Sequence, residues 1–579
     1  MMLRICRLPV VRCGLALALV YVFPSAEAVA EMSSLSVSDS VFGHSRGAAP
    51  VAQAPAAGTA VDHRANPLGR HSLGPISSAS DPVLQNSSPA AMTPGSGFNG
   101  IGVTTGYGVQ YIPPDTTGAA GDSQYVQMVN VSYAVLDKTG QFCQNAKCGP
   151  TPYFFQLSSL FKAAANFDQT NPCATRDDGD GIVQFDRMAH RWILSQFAVP
   201  SGGPYYHCVA VSQTADATGS YYVYAFPQAY FPDYPKISVW PDGYYATFNM
   251  FNGGHFVGAQ VCVYERSAML SGAIARQMCS HPNSSYGSLL ASDLDGKSDD
   301  LTPTPPPNDA SCPLQACPPA GTPNILANFY GGMLQLGWVS VNWSTAGGTM
   351  LWPQALSGAA SFTPACNGGA CIPQPGTKQQ LDSLGDRLMF RLAYSRPCQV
   401  YSSPPPDPQC KTWDPYYHLV VSHAVTVKPS VSSVTGVRWY DLRPSFNLVA
   451  TPPTLTTTIN QQSTFSPPDS DYRWMSSIAM DRAGNVEIGY SRANGTSLYP
   501  SISVAMRSVG DPKNTLTSES IVLKGFGSQT KYNRWGDYTH MSVDPVDGCT
   551  LRFVGQYQTV NGVFDWSTFI YPSKATSCR

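Results

Sequence analysis

One unit recurs along this chain and limits what it can fold into. An Asp sits in a turn, often followed by an aromatic residue or Arg. An apolar strand comes next, then a tight polar turn, then a second strand. The unit is present as PPDTTGAAGDSQYVQMVN at Asp115, GDGIVQFDRMAHRWILSQFA at Asp180 and FPDYPKISVWPDGYYATFN at Asp233. It returns as GDRLMFRLAYS at Asp386, DYRWMSSIAMDRAGNVEIGYS at Asp471 and GDYTHMSVDPVDGCTLRFVGQY at Asp537. Successive Asp residues lie 65, 53, 153, 85 and 66 positions apart. The longest gap has room for two units, and NILANFYGGMLQLGWVSVNW (324–343) reads as a hidden one without the Asp, which makes seven. A sheet unit of this size cannot bury its apolar face alone and stacks on copies of itself. Radial closure also protects sheet edges. The expected fold is therefore all-β, a β-propeller of seven blades, with six as the alternative count and paired β-sandwiches as the competing architecture. The units exceed the roughly 40–50 residues of an ordinary blade. The excess falls at Cys-containing loops, read here as disulfide-stapled insertions. The last unit is the shortest, and a strand within 101–112 is expected to complete it.

Composition supports strands over helices. Only five of the 37 acidic residues are Glu (Glu27, Glu31, Glu265, Glu487 and Glu519), and the rest are Asp. Glu favours helix interiors and Asp favours turns and caps. Helix is expected only near 152–165, with a turn at 266–275. Charged residues make up 12% of the chain and the net charge is -2. That excludes nucleic acid as a main partner, because phosphate binding needs a surplus of Lys and Arg.

The first thirty residues read as a secretory signal peptide. Arg4, Arg7 and Arg12 precede an apolar stretch at 13–23, and AEA or AVA supplies a small-residue cleavage site. Eleven apolar residues are too few to span a bilayer, and no later run reaches about 18. The expected product is secreted, extracellular or periplasmic, without a membrane span, and monomeric. Residues 31–98 are rich in Ala, Ser, Pro and Gly and lack periodicity, so they read as a disordered leader. The propeller domain is assigned to 99–579. After Cys6 and Cys13 are set aside, fourteen Cys remain. In an oxidising compartment they are expected to pair, with 143–148, 312–317, 366–371 and 398–410 as close partners and 549–578 tying the last segment together. The connections of Cys173, Cys208, Cys262 and Cys279 stay open.

Two sets of segments carry a resemblance. MSSIAMDRAGNVEIGYS (475–491) resembles the Asp-box blades of bacterial sialidase-like propellers. PPDTTGAAGDSQYVQ, DYPKISVWPDGYY, LDSLGDRLMFRLAY and RWGDYTHMSVDPVDGC are similar to a family of secreted bacterial proteins without an assigned activity. The resemblance covers about residues 100–578 and implies the fold. The Asp-box is a folding element and fold alone does not carry chemistry.

The recurrent turn also carries the candidate chemistry. If each Asp opens the innermost strand of a blade, the six converge on one face of the ring. Crowded carboxylates repel and need a cation, Arg or a proton. Asp115, Asp180 and Asp233 are expected to serve as Ca²⁺ ligands. Asp386, Asp471, Asp537 and His540 are the catalytic candidates. Arg387, Arg473 and Arg534, with Tyr234, Tyr472 and Tyr538, are the candidates for holding an extracellular glycan or another hydroxylated or anionic ligand. The bland alternatives are turn-capping Asp residues, His residues packed in strands, and Trp474 and Trp535 serving as core. DLDGKSDD (293–300) resembles part of a Ca²⁺ loop without its full spacing. Sialidases, which this fold resembles, grip a carboxylate with three Arg and use a Tyr–Glu pair. Here the Arg-Ile-Pro element is missing, and only Glu265 and Glu487 lie in the core, with Glu487 expected on a solvent face by strand alternation. The sequence therefore points to a glycoside hydrolase with Asp-based chemistry, distinct from a typical sialidase. The alternative is a non-catalytic glycan-binding or adhesive module.

Overall fold

Alternating apolar and β-branched runs, broken by Gly, Pro, Asn and Asp, give strands of two to fourteen residues and few helices. The computed structural model describes residues 31–45, 61–62, 81–85, 87–91, 94–108, 111–302, 312–402, 409–427 and 434–579. The fold is all-β. Seven antiparallel meanders follow one another, and each adds its strands outward in chain order. Their first strands are Thr117–Ala120, Ile182–Asp186, Phe231–Trp240, Leu290–Leu294, Met389–Ser395, Tyr472–Met480 and His540–Val543. Each first strand touches the next, and the seventh touches the first, so the seven form a closed ring. The first strands of the fourth and fifth meanders pair in parallel, Ser292 opposite Leu392. Residues 324–343 form the strand pair Asn324–Tyr330 and Met333–Asn342, the second and third strands of the fourth meander, which starts at Leu290–Leu294.

The seventh meander has three strands of its own and takes its fourth from Phe98–Gly102, with Ile570 opposite Phe98. The completing strand thus lies earlier than the expected 101–112, because Val103–Thr105 forms a short 3-10 turn that ends at left-handed Gly106. Helices occur at Leu157–Lys162 and Arg266–Ser271, inside the two expected ranges, and also at Pro172–Thr175 and Ser298–Leu301.

The leader is corrected where it is described. Met32–Ser34 adds to the outer edge of the fourth meander, Ser36–Asp39 to the third and Val41–Ser45 to the second. Leu84–Gln85 and Ala90–Ala91 add in parallel to the fifth and sixth. Composition missed this because an open sheet edge offers backbone N–H and C=O groups, which accept a strand of almost any side chains. A few side chains fix the positions. Leu35 is buried in the core, and Arg438 Nη2 donates to both Asp81 oxygens at 2.8 Å. The proposed signal peptide lies outside the described residues.

Meander faces pack on one another around large rings, with Trp192, Trp240, Trp338, Trp352, Trp439, Trp474, Trp535 and Trp566 fully buried. Seven disulfides pair all fourteen Cys as expected, and add Cys173–Cys208 and Cys262–Cys279 to the five close pairs. Among the described residues, no helix is long and apolar enough to cross a membrane.

Candidate functional site

A shared backbone kink puts charged side chains at one end of the ring. In five meanders a residue in the left-handed region lies two positions before the laddered part of the first strand. These are Asp115 (φ 48), Asp180 (φ 53), Tyr234 (φ 53), Ser288 (φ 53) and Met475 (φ 51). The laddered residues that follow are Thr117, Ile182, Lys236, Leu290 and Ser477. Arg387 and Tyr538 hold the same position before Met389 and His540. Asp115 and Asp180 are therefore the kinked residues themselves, whereas Asp233, Asp386 and Asp537 each precede that position by one. Left-handed backbone is costly for non-glycine residues, above all for large ones such as Tyr234 and Met475.

These turns bring Asp115, Asp180, Asp233, Asp386 and Asp537 together with Arg387, Arg534 and Lys236. The Asp537 backbone N–H donates to Asp115 Oδ1 at 2.7 Å, and Asn130 Nδ2 donates to Asp115 Oδ2 at 3.2 Å. Arg534 Nη2 donates to Asp537 Oδ1 at 2.6 Å, and Arg387 holds both oxygens of Asp386 at 2.7 and 2.9 Å. The Tyr538 hydroxyl lies 3.1 Å from Asp180 Oδ2 and 3.0 Å from the Pro235 carbonyl. Tyr234 stacks near Tyr538, with ring centroids 4.9 Å apart, and its hydroxyl donates to the Asp537 carbonyl at 3.1 Å. The Tyr234 ring lies 3.2 Å from Lys236 Nζ and 4.6 Å from the Arg387 guanidinium.

Five carboxyls face three cations, and nearly all are buried. Burial first, and the Asp537 charge second, hold Asp115 and Asp233 above the usual carboxylate range. Asp180 is raised by burial and then by Asp115 and Asp233. Burial, then the Arg387 charge, pull the Lys236 ammonium well below its ordinary range. The cluster therefore retains protons on carboxyls while Asp537 stays ion-paired to Arg534. Arg534 and Asp386 are its most exposed members, at 16% and 12% of their side chains.

His540 lies just inside the ring, beside the Phe390 ring at 5.1 Å. Its Nδ1 accepts from the Gly118 N–H at 3.3 Å, which leaves Nε2 with the proton and without a partner. Burial, with Arg391 and Arg187 nearby, pushes its pKa well down, so the ring is neutral.

Three expected site residues lie elsewhere. Asp471 accepts from Arg492 Nε at 2.6 Å and Asn494 Nδ2 at 2.7 Å. Arg473 binds Asp469 and Glu519 in the same sixth-meander network. Tyr472 packs against the group containing Ala365, Leu381 and Trp535. The cause is one of register: the kink of the sixth meander is at Met475, four residues after Asp471. The Ca²⁺ reading of Asp115, Asp180 and Asp233 is also corrected. Among the described residues no group of three or more His, Cys, Asp or Glu side chains is placed to hold a metal ion. The carboxyl oxygens of Asp115 and Asp180 are turned instead to amide and hydroxyl donors. In the 293–300 segment, Asp293 and Asp295 pair with Arg391, and Asp300 with Arg482. Trp474 and Trp535 are core, as the bland alternative held.

The sequence reading missed Lys236 and misplaced Glu487. A Lys entering the apolar strand PKISVW was the available signal for the first. Glu487 is fully buried and accepts from Ser573 Oγ at 2.6 Å. The turn at 481–485 behaves as a folding element. Asp481 accepts from the N–H groups of Ala483 and Asn485, both at 2.9 Å, and from Asn485 Nδ2 at 2.7 Å. No protein-family model matches this chain, and no curated protein matches it.

Proposed function

We propose that this chain is a secreted, seven-bladed β-propeller with sialidase-like blades that hydrolyses glycosidic bonds in extracellular carbohydrate. The closed ring of seven first strands supports the propeller reading, and the seven disulfides support export. One observation carries the activity: carboxyls from the first, second and third meanders, raised above the usual carboxylate range by burial, meet the Arg534-paired Asp537 of the seventh. Burial holds Asp115 and Asp233 toward their protonated forms, while Arg534 sits against Asp537 at 2.6 Å. Pairs of acids pushed apart in this way divide into donor and base roles. A held proton passes to the leaving glycosidic oxygen. Asp537 takes a proton from the incoming water, whose oxygen bonds to the anomeric carbon. Arg534 and Asp386 form the rim that meets the sugar, and Tyr234 and Tyr538 offer aromatic faces.

Glycan-array binding followed by product analysis tests this. Wild type should bind and cleave the same glycan. Asp537→Asn keeps the turn, removes the charge and should lower turnover at least about a hundredfold with the fold intact. Turnover should also fall as pH rises through the range where the buried carboxyls lose their protons. The second reading is a non-catalytic glycan-binding propeller, favoured by the near-complete burial of Asp115, Asp180, Asp233 and Asp537 at 1–5% exposure. Binding without any product would establish it in place of the first.

A further inference from the structure

A second cavity lies away from the carboxyl cluster, at the opposite end of the first strands. It has a volume of about 780 Å³ and sits between the fifth and sixth meanders. Its walls come from the strand Cys398–Tyr401, the strands of the fifth meander that follow it, and the turns at 483–484 and 507–513 of the sixth. This volume suits a small organic molecule rather than a bare ion.

Four cations face this space: Arg443, Arg507, Lys513 and Arg579. The three acids of the same wall are already committed. Asp441 is taken by His418 Nδ1 at 2.6 Å, Asn460 Nδ2 at 2.6 Å and Gln461 Nε2 at 3.0 Å. Asp511 accepts from the Ser508 N–H and Thr517 Oγ1, and Asp414 from the Tyr416 N–H and Gln399 Nε2. Among the described residues none of the four cations has an ion pair with a carboxylate. Arg443 leans on the Tyr416 ring at 4.4 Å, and Lys513 donates only to the neutral Asn460 Oδ1 at 2.7 Å. Arg507 donates to the Asp511 backbone carbonyl.

Donors are also left over. Arg443 Nε, Arg507 Nε and the Tyr401 hydroxyl are buried without hydrogen-bond partners. Arg507 is only 4% exposed. An unpaired buried guanidinium N–H is costly, and an oxyanion that accepts from it and neutralises its charge removes that cost. Lone donors occur in any protein. Two unpaired guanidinium groups, a hydroxyl and an unpaired Lys around one cavity are a built arrangement.

We propose that this cavity binds a small organic anion through a terminal carboxylate or phosphate held by Arg443 and Arg507, with Lys513 at the mouth. The site is separate from the carboxyl cluster and does not depend on the hydrolase reading. Asn460, Gln461 and the Tyr401 hydroxyl would meet hydroxyl or carbonyl groups on the rest of the ligand.

The test is calorimetric titration of the full chain at matched ionic strength with citrate, glucuronate, glucose 6-phosphate and neutral glucose. At least one anion should bind and glucose should not. The carboxylate and phosphate arms then identify the headgroup. Arg443→Gln with Arg507→Gln should weaken that binding at least about tenfold. Lys524→Gln, an exposed charge elsewhere, should leave it unchanged. Near-ultraviolet circular dichroism checks the fold. If the Arg507 variant unfolds, Arg443→Gln with Lys513→Gln carries the same expectation. Equal anion affinity in wild type and cavity variants, no anion binding at millimolar concentration, or equal binding of glucose would each overturn the proposal.

Discussion

Glu487 carries a proton that its surroundings make hard to remove. Its Oε1 is buried without a partner, and burial pushes its pKa up from 4.5 to about 8. Between those values the folded chain keeps a proton that the unfolded chain releases. Its contribution to stability is thus full below about pH 4.5 and is lost as pH rises through about 8. Glu487→Gln keeps the shape and the acceptor for Ser573 while removing the ionisation. Unfolding free energies from urea titrations at pH 5 and pH 8.5 should therefore differ less in the variant than in wild type, by on the order of a few kcal/mol. An unchanged pH slope would mean that the carboxyl ionises without cost. The same residue shows why part of the molecule was not legible in sequence. Strand alternation assigns one face to solvent, yet here both faces of a sheet are covered by neighbouring sheets. Lys236 escaped for a related reason, since Lys near strands normally snorkels outward. Asp115, Asp180, Asp233, Asp386 and Asp537 were legible because a repeated turn before a repeated strand falls at a repeated place. Asp471 was not, because it stands just before the strand Tyr472–Met480, four residues ahead of the kink at Met475.

The disulfides divide by the kind of element they join. Cys143–Cys148 and Cys262–Cys279 link directly opposed residues of paired strands. Cys173–Cys208 ties the short helix Pro172–Thr175 to the strand Tyr205–Ser212 across 35 residues. Close pairs in Gly- and Pro-rich loops were readable from spacing, whereas Cys173–Cys208 and Cys262–Cys279 join elements whose pairing only the fold reveals. Replacing Cys173 and Cys208 together by Ser should cost about 2–5 kcal/mol, and the same change at the five-residue Cys143–Cys148 loop clearly less. Chemical denaturation of the two double variants checks the order. Thiol titration of denatured, unreduced protein should give close to zero. Contact between the sixth and seventh meanders is equally specific. A Cβ at Gly489 would fall 2.2 Å from the Phe553 ring. Gly489→Ala should destabilise by about 1–3 kcal/mol, which is visible as a lower thermal midpoint.

At the scale of the whole molecule, the expectation of an all-β chain of repeated units was legible because repetition and the near absence of Glu both survive in composition. The outer strands were not, because edge pairing uses backbone groups common to every sequence. Those strands join distant parts of the chain: Ser33 lies opposite Met350, Ser38 opposite Gln277 and Phe98 opposite Ile570. Deleting 31–45 should lower the thermal midpoint by at least a few degrees, because three sheets lose an edge strand and Leu35 leaves the core. An unchanged midpoint would show that these strands contribute nothing. The pairing also sets an order of events. Each partner of the early strands is made hundreds of residues later, so these strands are made first and dock late. The last sheet cannot be completed until its own three strands exist to receive 98–102. Folding that depends on such distant partners is slow, because loop closure precedes the contacts that reward it. During synthesis each early strand stays unpaired until its own sheet has been made, and an unpaired strand is exposed to wrong partners for that interval.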